Sequence, residues 1–249
     1  KRDYRYGDKD ALQDVKSWME HQAFFLTEAT VELAKERGKC GNSDQTWYGQ
    51  GVFPWERRAD GVNKLANFKP ECDWETLRAE MKEHGVRNAT LMAIAPVESS
   101  SVVINSTNGI EMPMSLISVK ESKAGSLTQV VPDYHIKRVR NSYQLMWEQK
   151  NCDAYLKTAS VLAAYVDQSI STNTFYNPAH FPEQKVPTTL IAKNLMQAHS
   201  WGLKTFYYSL INKAGVKRHE VELAQIAQAY VNNDVDSSFE DDDCESCKL

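Results

Sequence analysis

The sequence predicts an α/β fold in which parallel strands alternate with helices. Three observations carry that prediction. The mostly apolar run at 88–95, bounded by Gly85 and Pro96, and the segments S-I-S-T-N-T-F-Y at 169–176 and L-K-T-F-Y-Y-S-L-I at 203–211 read as strands. Segments with helical spacing stand between them, which suits parallel pairing through crossover helices. Three strands make a poor closed barrel or independent sheet, so the chain reads as part of a larger α/β unit.

The elements follow in order. Residues 9–37 read as a helix, with Leu12, Val15, Trp18, Met19, Phe24 and Phe25 at helical spacing and Gly38 as its stop. The Gly- and Pro-rich stretch 38–70 reads as an irregular crossing loop. Residues 74–84 form a short helix with Trp74, Leu77 and Met81 on one face, closed by Gly85. The buried strand 88–95 ends at Pro96 and hands over to a helix at 98–104. A strand is expected at 116–120 and a helix from Asp133 to about Trp147. Another helix covers 153–167, and Pro187 starts one that runs to Ser200. The strand at 203–211 is the last strong one. A charged helix at 216–231 leads into a tail, 232–249, that is too poor in apolar residues to pack and is expected to be disordered. The chain thus divides into a body at 1–215, an added helix at 216–231 and a tail at 232–249.

Composition narrows the function classes. With 249 residues, 42% hydrophobic and 25% charged, the chain has ordinary globular usage and can bury a core. Mean hydropathy is −0.54 and no run approaches the roughly 18 apolar residues of a membrane span, so no membrane role is expected. The first ten residues are almost all charged or polar, so no secretory leader is expected. A start on Lys rather than Met is expected of a processed piece or a fragment. The net charge of −4 argues against nucleic acid as the main partner. That acidity belongs to the tail, where residues 234–249 hold seven acids and one base. An odd count of five cysteines, Cys40, Cys72 and Cys152 of them far apart, does not suggest a secreted disulfide framework and favours a reducing cytoplasm.

Three features can carry chemistry. Pro96, Val97, Glu98, Ser99 and Ser100 stand where a strand meets a helix, and free amides at a helix start bind anions. The bland reading is simple capping. Tyr207 and Tyr208 are adjacent in the last strand. Neighbours on a regular strand face opposite sides, so a shared role needs local twist; otherwise both are packing residues. Cys244 and Cys247 form C-E-S-C on the acidic tail. Two thiols at this spacing lack the further ligands a metal needs, so no metal site is expected. A dithiol cycling to a disulfide is the simpler chemistry, and an inert tail is the alternative.

One pattern is far more specific. Trp74-x-x-Leu77, then after seven residues Gly85-Val86-Arg87-Asn88-x-x-x-Met92-Ala93-x-x-Pro96, resembles the large-subunit signature of class I ribonucleotide reductases. The blocks N-S-T-N-G-I-E-M-P (105–113), Q-V-V-P-D-Y (129–134), D-Q-S-I-S-T-N-T (167–174) and K-T-F-Y-Y (204–208), with the terminal C-E-S-C, look the same way. The resemblance covers nearly the whole chain, but only about the last third of the family's length. It implies the last strands of a ten-stranded α/β barrel. It implies that Pro96 to Ser100 bind the diphosphate of a ribonucleoside diphosphate. It implies that Tyr208 and then Tyr207 relay a radical from the small beta subunit toward an active-site cysteine. Cys244 and Cys247 are implied to re-reduce the active-site disulfide, and to be reduced by thioredoxin or glutaredoxin.

The family's radical cysteine lies on a finger loop that has no counterpart here, and its effector sites lie upstream. The chain is therefore expected to be inactive alone and to need the N-terminal part of the alpha subunit. No cofactor is expected in this chain; the small subunit is expected to carry a di-iron tyrosyl radical. A rival from another class is a non-catalytic module that docks the small subunit or a thioredoxin. A third option is a redox adaptor using only the tail dithiol. An upstream reading frame that encodes the finger-loop cysteine would favour the split enzyme.

Overall fold

The computed structural model describes residues 4–104, 106–122, 125–130 and 140–212. Helix α1, Lys9–Arg37, ends where Gly38 turns to φ +80° and donates its N–H to Ala34 O. The crossing stretch after it holds three 3-10 turns, Ser43–Gln45, Pro54–Arg57 and Asp60–Lys64. Helix α2, Trp74–His84, starts at Asp73, whose carboxylate accepts the Thr76 N–H at 3.2 Å, and stops at Gly85. Its buried residues are Trp74, Leu77 and Met81, the face the sequence pattern marks.

Helix α3 is Glu98–Val103. Strands β1, Ile117–Ser122, and β2, Gly125–Val130, form an antiparallel hairpin; the sequence pattern marks only the first of them. Helix α4, Asp153–Ala163, is shorter than expected, because Ala164–Asp167 turn the chain toward the next strand. Strand β3 is Thr174–Tyr176, helix α5 is Thr188–Ser200 and strand β4 is Ser209–Ile211. The helix expected from Asp133 to Trp147 needs correction in its described part. Residues 140–148 form two separate 3-10 turns, Arg140–Ser142 and Met146–Glu148. Met146 is pinned by its N–H to Pro113 O, a tertiary bond that overrides helical spacing. The start of that helix, the helix at 216–231 and the tail at 232–249 lie outside the described residues.

The three expected strands do pair in parallel, over shorter lengths. Ile94 bridges Ile170, with Ile94 N–H to Ser169 O at 3.0 Å and Ser171 N–H to Ile94 O at 2.8 Å. On the other edge β3 pairs with β4 in parallel. Residues 169 and 171 bond one neighbour, while 172, 174 and 176 bond the other. That alternation makes the segment around 169–176 the middle strand. Its Phe175 and Tyr176 pack with Tyr155, Leu156 and Ala159 of α4 and Ala198 of α5. A second apolar cluster holds Leu12, Met19, Ala23 and Val31 of α1 against Phe53, Trp74, Leu77 and Met81.

Candidate functional site

The Pro96–Ser100 turn leaves the C-terminal end of the first strand segment. Val97 N–H donates to Asn108 O at 2.9 Å, and Ser100 N–H donates to Val97 O at 2.9 Å. Pro96 has no N–H. Of the five residues expected to cradle an anion, only Glu98 and Ser99 therefore keep first-turn amides with no intrahelical acceptor.

Asp167 fixes the strand that leads into this turn. Its carboxylate accepts Leu91 N–H at 2.6 Å and Met92 N–H at 2.9 Å. Burial, with Asp167 beside it, pushes the Tyr48 phenol well above its ordinary range. Lys204 ties the third segment to the second by donating from Nζ to the carbonyls of Val166, Asp167 and Gln168. Burial lowers the Lys204 ammonium against the opposing pull of Asp167. Ser169 and Thr205 hydroxyls meet at 2.8 Å.

The two tyrosines do come together. Their ring centroids lie 4.0 Å apart at an interplanar angle of 46°. Both are half-exposed, Tyr207 at 52% and Tyr208 at 57%. They precede β4 rather than lying in it, and the hydrogen bonds show why the rings share a side. In a regular parallel ladder a single residue donates to one partner residue and accepts from the residue two further on. Opposite Asn173 those bonds come from two residues: Tyr207 N–H donates to Thr172 O, and Tyr208 O accepts Thr174 N–H, each at 2.8 Å. Two residues facing one make a β-bulge, which bends the strand and re-aims its side chains.

Cys244 and Cys247 lie outside the described residues. Of the other cysteines, Cys152 is buried, with Sγ 4.0 Å from the Tyr176 hydroxyl, and burial pushes its thiol up. Burial, with Glu20 and Glu71 nearby, also raises Cys72. Neither is poised as a thiolate nucleophile. Among the described residues no group of three or more His, Cys, Asp or Glu side chains converges as a metal site, and no helix is long and apolar enough to cross a membrane. A cleft of about 510 Å³ opens beside Trp47, Tyr48, Arg57, Asp167, Trp201 and Lys204. It lies at the N-terminal ends of the strand segments, away from the Pro96 turn.

Asp167, Lys204, Asn173 and Glu111, whose Oε1 accepts from Asn173 Nδ2 at 2.8 Å, carry much of this geometry, and sequence reasoning assigned none of them a role. The signal was present: each falls inside one of the blocks at 105–113, 167–174 and 204–208.

A family model described as "Ribonucleotide reductase, barrel domain" matches residues 1–209. The chain is 39% identical to the ribonucleoside-diphosphate reductase 1 subunit alpha of Salmonella typhimurium, over 98% of the chain and 30% of that protein. It matches the Escherichia coli protein of the same name with the same identity and coverage. It is 35% identical to the ribonucleoside-diphosphate reductase subunit alpha of Enterobacteria phage T4, over 97% of the chain and 30% of the relative. The chain thus spans about 30% of the length of these relatives.

Proposed function

The chain belongs to the ribonucleotide reductase barrel-domain family, and from that premise we propose that it is the C-terminal part of a ribonucleoside-diphosphate reductase alpha chain. The reaction replaces the ribose 2′-hydroxyl by hydrogen. A dithiol supplies two protons and two electrons, the hydroxyl leaves as water, and a disulfide remains. The cysteine that bears the thiyl radical belongs to the N-terminal part. This chain supplies amides for the diphosphate, the tyrosine pair and the tail dithiol. The small beta subunit supplies the radical from its di-iron tyrosyl centre.

One observation carries the reading: adjacent tyrosines whose rings lie 4.0 Å apart and are open to solvent on one side. Ordinary packing tyrosines would be buried, and neighbours on a strand would diverge. Two phenols in ring contact can pass an electron and a proton in turn without large motion. Their exposure leaves Tyr208 open to a partner as the outer relay, with Tyr207 as the inner. The diphosphate role rests on the Glu98 and Ser99 amides at the start of α3. The thiols at Cys244 and Cys247 return the active-site disulfide to its reduced form and are recharged by thioredoxin or glutaredoxin.

The test is reconstitution. The chain alone should not turn over ribonucleoside diphosphate. Addition of the N-terminal polypeptide and a radical-bearing small subunit should restore turnover. Tyr207→Phe and Tyr208→Phe should each abolish it while substrate binding persists, because Phe keeps the ring but has no phenolic hydrogen. If both variants kept more than about half of the activity, the tyrosines would be packing residues.

A further inference from the structure

The bulge at Tyr207 and Tyr208 creates a surplus backbone N–H, since only one of the two residues can use the Thr172 carbonyl. That N–H belongs to Tyr208, and it donates to Asn173 Oδ1 at 3.1 Å. The other end of the same amide, Asn173 Nδ2, donates to Glu111 Oε1 at 2.8 Å. Asn173 is largely buried, so both its donor and its acceptor need partners. The Glu111 carboxylate thus fixes which way the amide points, and the amide fixes the bulge.

Gly109 completes the arrangement. A Cβ built at that position would meet the Glu111 carboxylate at less than contact distance. The missing side chain leaves the space in which Glu111 folds back toward Asn173. The blocks at 105–113 and 167–174 therefore meet the block at 204–208 at one point.

We propose that Glu111 and Asn173 are a positioning pair that sets the ring-to-ring geometry of Tyr207 and Tyr208, and with it the rate of radical relay. The link to turnover rests on the relay reading; the link to ring geometry does not. The pair acts through the Tyr208 backbone, whose N–H donates to Asn173 and whose carbonyl accepts the Thr174 N–H.

A reversal of hydrogen-bond direction tests the proposal. Asn173→Asp sets two carboxylates against each other and removes the donor to Glu111. The double variant Glu111→Gln/Asn173→Asp restores a donor–acceptor pair of the same shape, with the new amide at 111 donating to the new carboxylate at 173. Gly109→Ala dislodges the Glu111 carboxylate with no change of charge. Two readouts are taken. One is kcat and KM of the reconstituted enzyme. The other is the near-ultraviolet circular dichroism of the 249-residue chain that Tyr208→Phe removes.

Asn173→Asp and Gly109→Ala should each lower kcat by about tenfold with KM unchanged and weaken the tyrosine dichroism; the double variant should return both readouts to within about threefold of the parent. A double variant no better than Asn173→Asp would overturn the pair, as would a tyrosine signal unchanged in both single variants. If the dichroism follows the expected pattern while turnover survives in every variant, Tyr207→Phe and Tyr208→Phe included, the positioning pair stands and the relay reading falls.

Discussion

Lys16 and Glu20, one turn apart on α1, form an ion pair 2.5 Å long in which both side chains are almost wholly buried. The Lys16 ammonium also donates to Glu71 Oε1 and to the Lys69 carbonyl. Glu20 Oε1 accepts from the Glu71 and Cys72 amides and from the Trp74 indole. The network ties α1 to the start of α2.

Removing Glu20 takes one of two carboxylates from the buried Lys16, leaving Glu71, and deprives the Glu71 and Cys72 amides and the Trp74 indole of their acceptor. Glu20→Ala should cost about 3–5 kcal/mol of stability, read by chemical denaturation. Burial raises the Glu20 carboxyl, but the bonds from Lys16, Glu71, Trp74 and Cys72 outweigh it and hold it below its ordinary value. A carboxyl depressed in the folded state stabilises fully above its unfolded pKa. That contribution is lost as pH falls through the folded one. Stability of the parent chain should thus start to fall below about pH 4.3, and Glu20→Gln should remove part of that dependence. A variant with the parent's acid profile would show that the pair does not set it.

Asp167 bridges the first and middle strand segments through two amides of Leu91 and Met92. Asp167→Ala leaves both N–H groups without that acceptor and should cost about 2–5 kcal/mol. Asp167→Asn keeps one acceptor oxygen and should cost less. Equal losses in thermal melts would point to the charge rather than to the two bonds.

The diphosphate reading makes a backbone prediction. Ser99→Pro deletes one of the two first-turn amides at Glu98 and Ser99 and should raise KM for ribonucleoside diphosphate strongly in the reconstituted enzyme, whereas Ser99→Ala should do much less. Equal effects would assign the role to the hydroxyl or to misfolding. Dichroism of the Pro variant separates those outcomes.

Cys244→Ser or Cys247→Ser should permit about one turnover of pre-reduced enzyme and then stall with thioredoxin or glutaredoxin. A small dithiol in excess should rescue both, because it reaches the cleft directly. Reach permits the shuttle: Cys244 stands 36 positions after Tyr208, an extended span of at most about 130 Å. Full multiple turnover with thioredoxin or glutaredoxin would show the tail pair to be incidental.

The helices were the most legible part of the fold. Periodicity and a terminal glycine marked α1 and α2, since both signals are local in the chain. The run at 88–95 and the turn at Pro96 were equally plain. The stretch up to Trp147 was not. Its spacing suits a helix, but Met146 bonds to Pro113, a partner distant in sequence. Strand β2 escaped notice because its residues, G-S-L-T-Q-V, carry little apolar alternation.

By itself the sequence determined the class of fold, the family and the residue types offered for chemistry, because each is written in contiguous spacing. It named the adjacent tyrosines but placed them on a strand, where neighbours diverge. Only the tertiary structure decided that Thr172 and Thr174 bond to different tyrosines, that the resulting bulge brings the rings together, and that Asn173 and Glu111 hold it there. It also decided that Lys16 and Glu20, which look like an ordinary charged pair on a helix surface, face inward. The physical reason is common to both cases. A backbone N–H or a charge taken out of water needs a partner, and which distant residue supplies it depends on how the elements pack.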